Sequence, residues 1–293
     1  VNDISITGET FIIATGSKPR TLPNLDADQD KIVYAKDIFQ MTSIPKSMTI
    51  IGAGAIGVEF AYFFNSFGTQ VTLIEAEETI LPHEDKEVSH WVEKTFKKKK
   101  INVLTNTLAK KIDDEKILIS VGVEGNSMGM GLEELGIELS ASNHIIVDKN
   151  GKTNIDNIYA VGDVIGAPWL AHVSAAEGLY VAEHLCGLNP REINYNSIPA
   201  CTYSKPEVAS IGSTEQQLIE DGIDFKVAKS FFIANGKAVA VGSTDGFIKI
   251  LVGKNGHILG AHIVGSNATE MISEFSIIKS NNLTIDSIFN AIH

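Results

Sequence analysis

The stretch that decides the fold runs from Ile50 to Glu59 and reads IIGAGAIGVE. Its three glycines, at positions 52, 54 and 57, match the pattern G-x-G-x-x-G between an apolar strand and a helix. In such a loop the first glycine permits a tight turn, the second lets a pyrophosphate approach the backbone, and the third allows close helix–strand packing. Free N–H groups at the helix start then face the phosphates. The stretch therefore predicts a dinucleotide site.

Glu75 indicates which dinucleotide binds. It ends the next apolar stretch, QVTLIE, at the distance where a carboxylate accepts the ribose hydroxyls of the adenosine half. A carboxylate there repels the 2′-phosphate of NADP, whose sites normally contain an arginine. The two arginines of the chain, Arg20 and Arg191, are far from this strand in sequence. We therefore expect NAD.

The order of elements around this loop predicts a parallel, doubly wound α/β sheet. Short apolar strands alternate with helices, and Gly68 supplies a stop after the first long helix. The predicted strands are 11–14, 48–51 and 70–75. One predicted helix follows GAGAIG and runs to about Phe67, and a second spans 86–98.

The pattern of apolar and polar residues changes after Gly187. The stretches PEVASIGST, GFIKILVG and HILGAHIVG alternate in the manner of antiparallel strands, and a helix is predicted from Ala268 to about Lys279. We place a domain boundary between Leu188 and Asn196, followed by a smaller α+β domain.

The stretch IYAVGDV places Asp163 at the end of an apolar strand. An acid in that position either contacts a ligand in the crevice at the carboxyl ends of the strands or caps the following turn. The sequence pattern around Asp163 leaves these two interpretations open.

Composition excludes several classes of protein. The net charge of −12 argues against nonspecific binding of nucleic acid or anionic lipid, and the basic run 97–100 suits an exposed helix end. Neither a signal peptide nor a membrane span is predicted. Cys186 and Cys201 are too few for a disulfide scaffold or a metal site. We expect reduced, buried thiols, which fit a cytoplasmic protein.

Five motifs in order resemble the flavoprotein disulfide reductases, in particular those that oxidise dihydrolipoyl groups. The resemblance runs from about Thr10 to His293. The motifs read IIATGSKPR, IIGAGAIGVEFA, ILPHEDKEVS, IYAVGDV with LAHVSAAEG, and CTYSKPEVASIGSTEQQL.

This resemblance implies an α/β fold with doubly wound, Rossmann-like FAD- and NAD-binding domains and a C-terminal α+β dimerisation domain. The implied domains are an FAD-binding domain in two segments, 1–40 and 126–192, an NAD-binding domain at 41–125, and an interface domain at 193–293.

It also implies the residues that hold the cofactors, with Asp163 accepting a hydrogen bond from the flavin chain and a helix start beneath the flavin ring. Glu59 either faces solvent or, as the resemblance implies, pairs with a lysine beside the flavin. For FAD the residues are Thr15, Gly16, Ser17, Asp163, Trp169, Leu170, Ala171 and His172. For NAD they are Gly52, Ala53, Gly54, Ala55, Ile56, Gly57, Val58, Glu59, Glu75, Ala109 and Gly122.

The implied activity passes electrons from dihydrolipoyl groups through a cysteine disulfide and FAD to NAD. The implied partners are a second copy of the chain and the lipoyl and peripheral-subunit-binding domains of 2-oxoacid dehydrogenase complexes. We expect the redox cysteines before Val1 and the acid–base histidine just after His293, so the 293 residues alone are an incomplete active site. The alternatives are another disulfide reductase, of the glutathione or mercuric type, and a non-catalytic, NAD-binding, dimerising fragment.

Overall fold

The computed structural model describes residues 6–292, and the prediction for His293 falls outside them. The strands are β1 Phe11–Ile13, β2 Ser17–Pro19, β3 Ile32–Val33, β4 Ser47–Ile51, β5 Gln70–Ile74, β6 Asn102–Leu104, β7 Lys116–Ile119, β8 Val123–Gly125, β9 Ile158–Ala160, β10 Ala200–Thr202, β11 Glu207–Gly212, β12 Phe225–Phe231, β13 Phe247–Gly253 and β14 Ile258–Gly265. The α-helices are α1 Ala35–Ile38, α2 Ala55–Ser66, α3 Lys86–Lys98, α4 Ala171–Leu185, α5 Glu215–Glu220, α6 Gly236–Ala240, α7 Ala268–Ser280 and α8 Asp286–Phe289.

The chain divides into two units by its contacts. The first unit comprises residues 6–20 and 122–193. Within it, β1 pairs in parallel with β9 and β2 pairs antiparallel with β8. Its apolar core includes Leu132, Ile145 and Val164.

The second unit comprises residues 21–121 and 194–292 and contains two five-stranded sheets. One is parallel, in the order β3-β7-β4-β5-β6, and α2 packs against its strand β5. The other is antiparallel, in the order β10-β11-β14-β13-β12, with α7 packed on β11 and β14. Parallel strands joined by helices, followed by an antiparallel α+β part, confirm the predicted fold class.

The division at residues 20 and 21 differs from the predicted end of the first FAD segment at residue 40. The cause is β3, because Ile32 and Val33 pair in register with Ile117 and Leu118 of the parallel sheet. Backbone pairing therefore places Ile32 and Val33 in the parallel sheet of the second unit. The four-part domain scheme stays a prediction.

The prediction of two buried thiols is wrong. Cys186 is exposed because it follows the last turn of α4, and Cys201 is half-buried because β10 is an edge strand of the antiparallel sheet. Both are free cysteines. The basic run 97–100 is exposed at the end of α3, as predicted.

Membrane-spanning helices and clustered metal ligands are both absent from the described residues. In residues 6–292 no helix is long and apolar enough to cross a membrane. Over the same range no three or more His, Cys, Asp or Glu side chains are grouped to hold a metal ion.

Candidate dinucleotide and flavin sites

The glycine loop of the second unit has the shape that the sequence predicts. Gly52 adopts φ +95°, and a Cβ there would lie 2.4 Å from the carbonyl oxygen of Ser120. A Cβ on Gly57 would lie 1.9 Å from the carbonyl oxygen of Gly52. A Cβ on Gly54 would meet nothing within 4 Å. The first and third glycines are therefore required by packing, while the second faces open space that a pyrophosphate can enter.

Helix α2 begins directly after this loop. Gly54 is its N-cap and no side chain caps the helix start. The first N–H groups of a helix have no partner within the helix and carry the positive end of its dipole. The start of α2 therefore offers hydrogen-bond donors to a phosphate.

The Glu75 carboxylate is held by two backbone donors. Ala53 N donates to its Oε2 at 2.7 Å and Glu77 N donates to its Oε1 at 3.0 Å. Glu75 is buried and directly follows β5. Since each carboxylate oxygen can accept a second hydrogen bond, the residue retains acceptors for ribose hydroxyls. These residues fit the adenosine half of NAD.

Two hydrogen bonds that hold the glycine loop in place were not predicted from the sequence. Ser120 Oγ lies 2.8 Å from the carbonyl oxygen of Gly52 and donates to it, and Leu81 N donates to the carbonyl oxygen of Ala53 at 2.7 Å. Ser120 directly follows β7, the neighbour of β4. A polar residue after a parallel strand was the available signal, because the carboxyl ends of adjacent parallel strands share one edge.

Glu59 on α2 is half-buried, so the solvent-facing interpretation is wrong. Its Oε1 accepts a hydrogen bond from Tyr203 N at 2.8 Å, and burial raises the pKa of the carboxyl group despite this hydrogen bond. Both residues line a cavity of about 540 Å³ whose other walls include Phe39, Phe60 and Phe63. The lysine partner of Glu59 stays a prediction.

The remaining predicted NAD residues are distributed over both units. Ala109 packs against an apolar cluster that includes Ile117 and Ile119 of the second unit. Gly122, with φ +92°, belongs to the first unit. Ala55, Ile56 and Val58 lie on the first turn of α2, where Ile56 is exposed and Val58 is buried.

The candidate flavin site lies in the first unit and joins two distant segments. Ser17 Oγ donates to Asp163 Oδ2 at 3.0 Å, across 146 residues of sequence. The turn at Asp163 is closed instead by its backbone carbonyl oxygen, which accepts from Gly166 N at 3.3 Å. The Asp163 carboxylate thus points to the segment from Thr15 to Ser17.

The backbone next to Ser17 and Asp163 contains two glycines with positive φ and is held by hydrogen bonds that involve side chains. Gly16 adopts φ +73° with nothing within 4 Å of a Cβ position. Gly162 adopts φ +78°, and its N–H donates to Glu177 Oε2 at 2.7 Å. Thr15 Oγ1 donates to the carbonyl oxygen of Asn126 at 2.7 Å. Glu177 and Asn126 are supports that the sequence prediction missed.

Helix α4 begins at Ala171, so Trp169 and Leu170 precede the helix rather than open it. Leu170 is the N-cap and no side chain caps the start. Ala171 and His172 are exposed in the first turn. An uncapped helix start beside the Asp163 acceptor fits a ligand that carries both hydroxyl groups and a site of developing negative charge, as FAD does.

Two protein-family models match the chain. Residues 1–178 match the model of the pyridine nucleotide-disulphide oxidoreductases, and residues 198–293 match the dimerisation domain of the same family. The chain belongs to the pyridine nucleotide-disulphide oxidoreductase family. Members of this family use FAD and NAD(P).

Relatives named dihydrolipoyl dehydrogenase are similar to almost the whole chain. One from Zymomonas mobilis is 39% identical over 96% of the chain and 65% of its own length. One from Bacillus subtilis is 39% identical over 100% of the chain and 66% of its own length. The chain therefore spans about two thirds of the length of these relatives.

Solved structures share the fold. The HOCl-induced flavoprotein disulfide reductase RclA from Escherichia coli has a TM-score of 0.91 and 26% identity, covering 98% of this chain and 71% of RclA. LpdA from Mycobacterium tuberculosis has a TM-score of 0.89 and 24% identity, covering 96% of this chain and 65% of LpdA. The second likeness concerns the fold alone.

Proposed function

We propose that this chain is part of an FAD-dependent dihydrolipoamide dehydrogenase that uses NAD and works as a homodimer. The observation that carries the proposal is the 39% identity, over 96–100% of the chain, to proteins named dihydrolipoyl dehydrogenase. The Glu75 carboxylate beside the glycine loop supports NAD over NADP. The partners would be the lipoyl and peripheral-subunit-binding domains of 2-oxoacid dehydrogenase complexes.

Each site would have a distinct task in this reaction. Bound FAD supplies the conversion of two-electron thiol chemistry into hydride transfer. Asp163 and Ser17 would hold the polar chain of the flavin, and the uncapped start of α4 would favour negative charge on it. The start of α2 would bind the NAD pyrophosphate, while Glu75 would orient the adenosine ribose.

A second candidate is another disulfide reductase of the same family. It is supported by the likeness to RclA, which aligns with 98% of this chain. The two candidates differ in the disulfide or dithiol they act on, which Asp163 and Glu75 do not contact in either scheme. A substrate panel therefore separates them.

The test uses the protein expressed from its complete gene. We expect a yellow protein that reduces NAD⁺ with dihydrolipoamide far faster than it reduces NADP⁺. The control panel replaces lipoamide with glutathione disulfide or Hg(II) in the NADH-oxidising direction. Turnover of a control substrate without lipoamide turnover would favour the second candidate. A colourless protein that binds NADH would favour the non-catalytic interpretation.

A further inference from the structure

One buried imidazole in the first unit has a ring nitrogen without a partner. His144 is 8% exposed, and its Nε2 has no hydrogen-bond partner among the described residues. Buried polar atoms are nearly always paired, because an unpaired one loses its hydrogen bonds to water without replacement. Among the described residues this nitrogen therefore has an unmet hydrogen bond.

The backbone places His144 beside the candidate flavin site. Ile145 N donates to the carbonyl oxygen of Val164 at 2.8 Å, which fixes this segment next to the turn that contains Asp163. A Cβ on Gly166, in the same turn, would lie 3.9 Å from the imidazole Cγ. His144 thus contacts the loop that connects Asp163 to the start of α4.

An aromatic ring covers the imidazole. Trp169 stacks on His144 with ring centroids 6.1 Å apart and an interplanar angle of 28°. Trp169 is itself 43% exposed and lies one residue before the N-cap of α4. The Trp169 ring therefore lies over the imidazole just before the start of α4.

The charge state of the imidazole limits what it can bind. Burial lowers the pKa of His144, and the positive charge of Arg20 lowers it further, against the opposing carboxylates of Asp163 and Glu124. The ring is therefore neutral at neutral pH, with one nitrogen as donor and the other as acceptor. Such a ring suits a hydroxyl or carbonyl group rather than a phosphate.

We propose that His144 is a further flavin-binding residue, whose Nε2 pairs with a hydroxyl or carbonyl group of FAD. This inference rests on the proposed function, because it requires FAD in the first unit. It adds a residue from the segment between β8 and β9 to the two segments that provide Ser17 and Asp163.

The test measures FAD binding to flavin-free protein expressed from its complete gene. His144→Phe keeps an aromatic ring under Trp169 but removes the nitrogen, and we expect its Kd for FAD to rise about tenfold. His144→Gln restores a polar group and should recover part of the affinity. The matched control is His184→Phe, because His184 also stacks on an aromatic ring, Tyr180, at 6.4 Å, but is exposed.

A spectroscopic measurement on the unmutated protein makes the test independent of folding in the variants. Addition of FAD should shift the imidazole ¹⁵N resonances of His144 and leave those of His184 in place. Equal FAD affinity in wild type and His144→Phe, or unshifted His144 resonances in the FAD complex, would overturn the inference and leave the proposed function intact. Failure of the wild-type protein to bind FAD would overturn both.

Discussion

Lys249 Nζ lies 2.9 Å from both carboxylate oxygens of Asp85, and each side chain is only 1% exposed. Asp85 is the N-cap of α3, and Lys249 lies in the middle of β13. Burial is the largest single influence and raises the pKa of Asp85. The hydrogen bonds and charge of Lys249, together with smaller effects of His262 and the hydrogen bond from Glu215 N, outweigh burial and lower the pKa. Both groups therefore stay charged, and the pair joins the first turn of α3 to the antiparallel sheet within one unit.

Removing one partner of this pair should strongly destabilise the protein. Lys249→Met leaves the Asp85 carboxylate buried without its cation, and we expect the free energy of unfolding to fall by about 3–5 kcal/mol. The double variant Lys249→Met with Asp85→Asn should recover much of this loss, since asparagine is neutral and remains a good N-cap. Urea denaturation measures both. Lys226→Met, an exposed lysine on β12, is the control. If the single and double variants lose the same free energy of unfolding, the prediction is wrong.

Glu84 should make stability depend on pH near neutrality. Its Oε1 accepts from Ser210 Oγ at 3.0 Å, while its Oε2 is buried without a partner among the described residues. Burial raises the pKa of Glu84 to about 7, against the hydrogen bond from Ser210 and with a smaller contribution from Asp85.

Because the folded-state pKa of Glu84 is raised, its contribution to stability is complete below the unfolded pKa, about 4.3, and is lost as pH rises through about 7. Glu84→Gln should remove this loss. The free energy of unfolding of the variant, relative to that of wild type, should therefore rise by about 3 kcal/mol between pH 4 and pH 8 in urea denaturation. Glu78→Gln, at an exposed carboxylate, is the control. An unchanged difference between wild type and Glu84→Gln across this range would refute the prediction.

The two glycines Gly54 and Gly57 should respond differently to alanine. Gly57→Ala places a Cβ against the Gly52 carbonyl oxygen, so the loop must shift and the melting temperature should fall by several degrees. Gly54→Ala meets no protein atom, so stability should be retained, while the new methyl group occupies the space of the pyrophosphate and weakens NADH binding about tenfold or more. Calorimetry and NADH titration check both. Unaltered NADH affinity in Gly54→Ala would remove this loop from the binding site.

Glu75→Ala should narrow the preference for NADH over NADPH by about 1–3 kcal/mol, through loss of charge-assisted hydrogen bonds to the ribose and of repulsion toward the 2′-phosphate. NADH affinity should also fall, since Ala53 N and Glu77 N lose their acceptor. Titration of both nucleotides against wild type and variant measures the ratio. Glu93→Ala, on α3, is the control. Equal affinities for the two nucleotides in wild type would end the assignment.

Residues 194–292 should form an obligate two-fold contact that buries more than about 2,000 Å² in total. Several apolar side chains in this part of the chain are exposed to solvent, among them Ile233, Val239 and Ile277. Sedimentation at micromolar concentration should give a dimer of the protein. A stable monomer under these conditions would contradict the prediction.

The sequence predicted elements whose signals are local. The helix from Lys86 to Lys98 has the predicted bounds, because an Asp N-cap and a basic last turn mark its ends. β12 was not predicted, since its side chains are almost all exposed and show no alternation. Pairing over long distances was also missed: period two puts Lys249 on the same face as Phe247 and Leu251, but nothing in the sequence connects it to Asp85, 164 residues away.

The segment from Leu81 to Asp85 is fixed at both ends by contacts of different kinds. Leu81, in a left-handed conformation at φ +48°, donates its N–H to the glycine loop at Ala53, and Asp85 holds Lys249. Because only three residues separate these two anchors, the backbone cannot accommodate an insertion or a deletion without moving one of them. The length of this segment is therefore as constrained as the identity of any residue in it. An insertion in this segment would displace either the contact with the glycine loop or the Asp85–Lys249 pair.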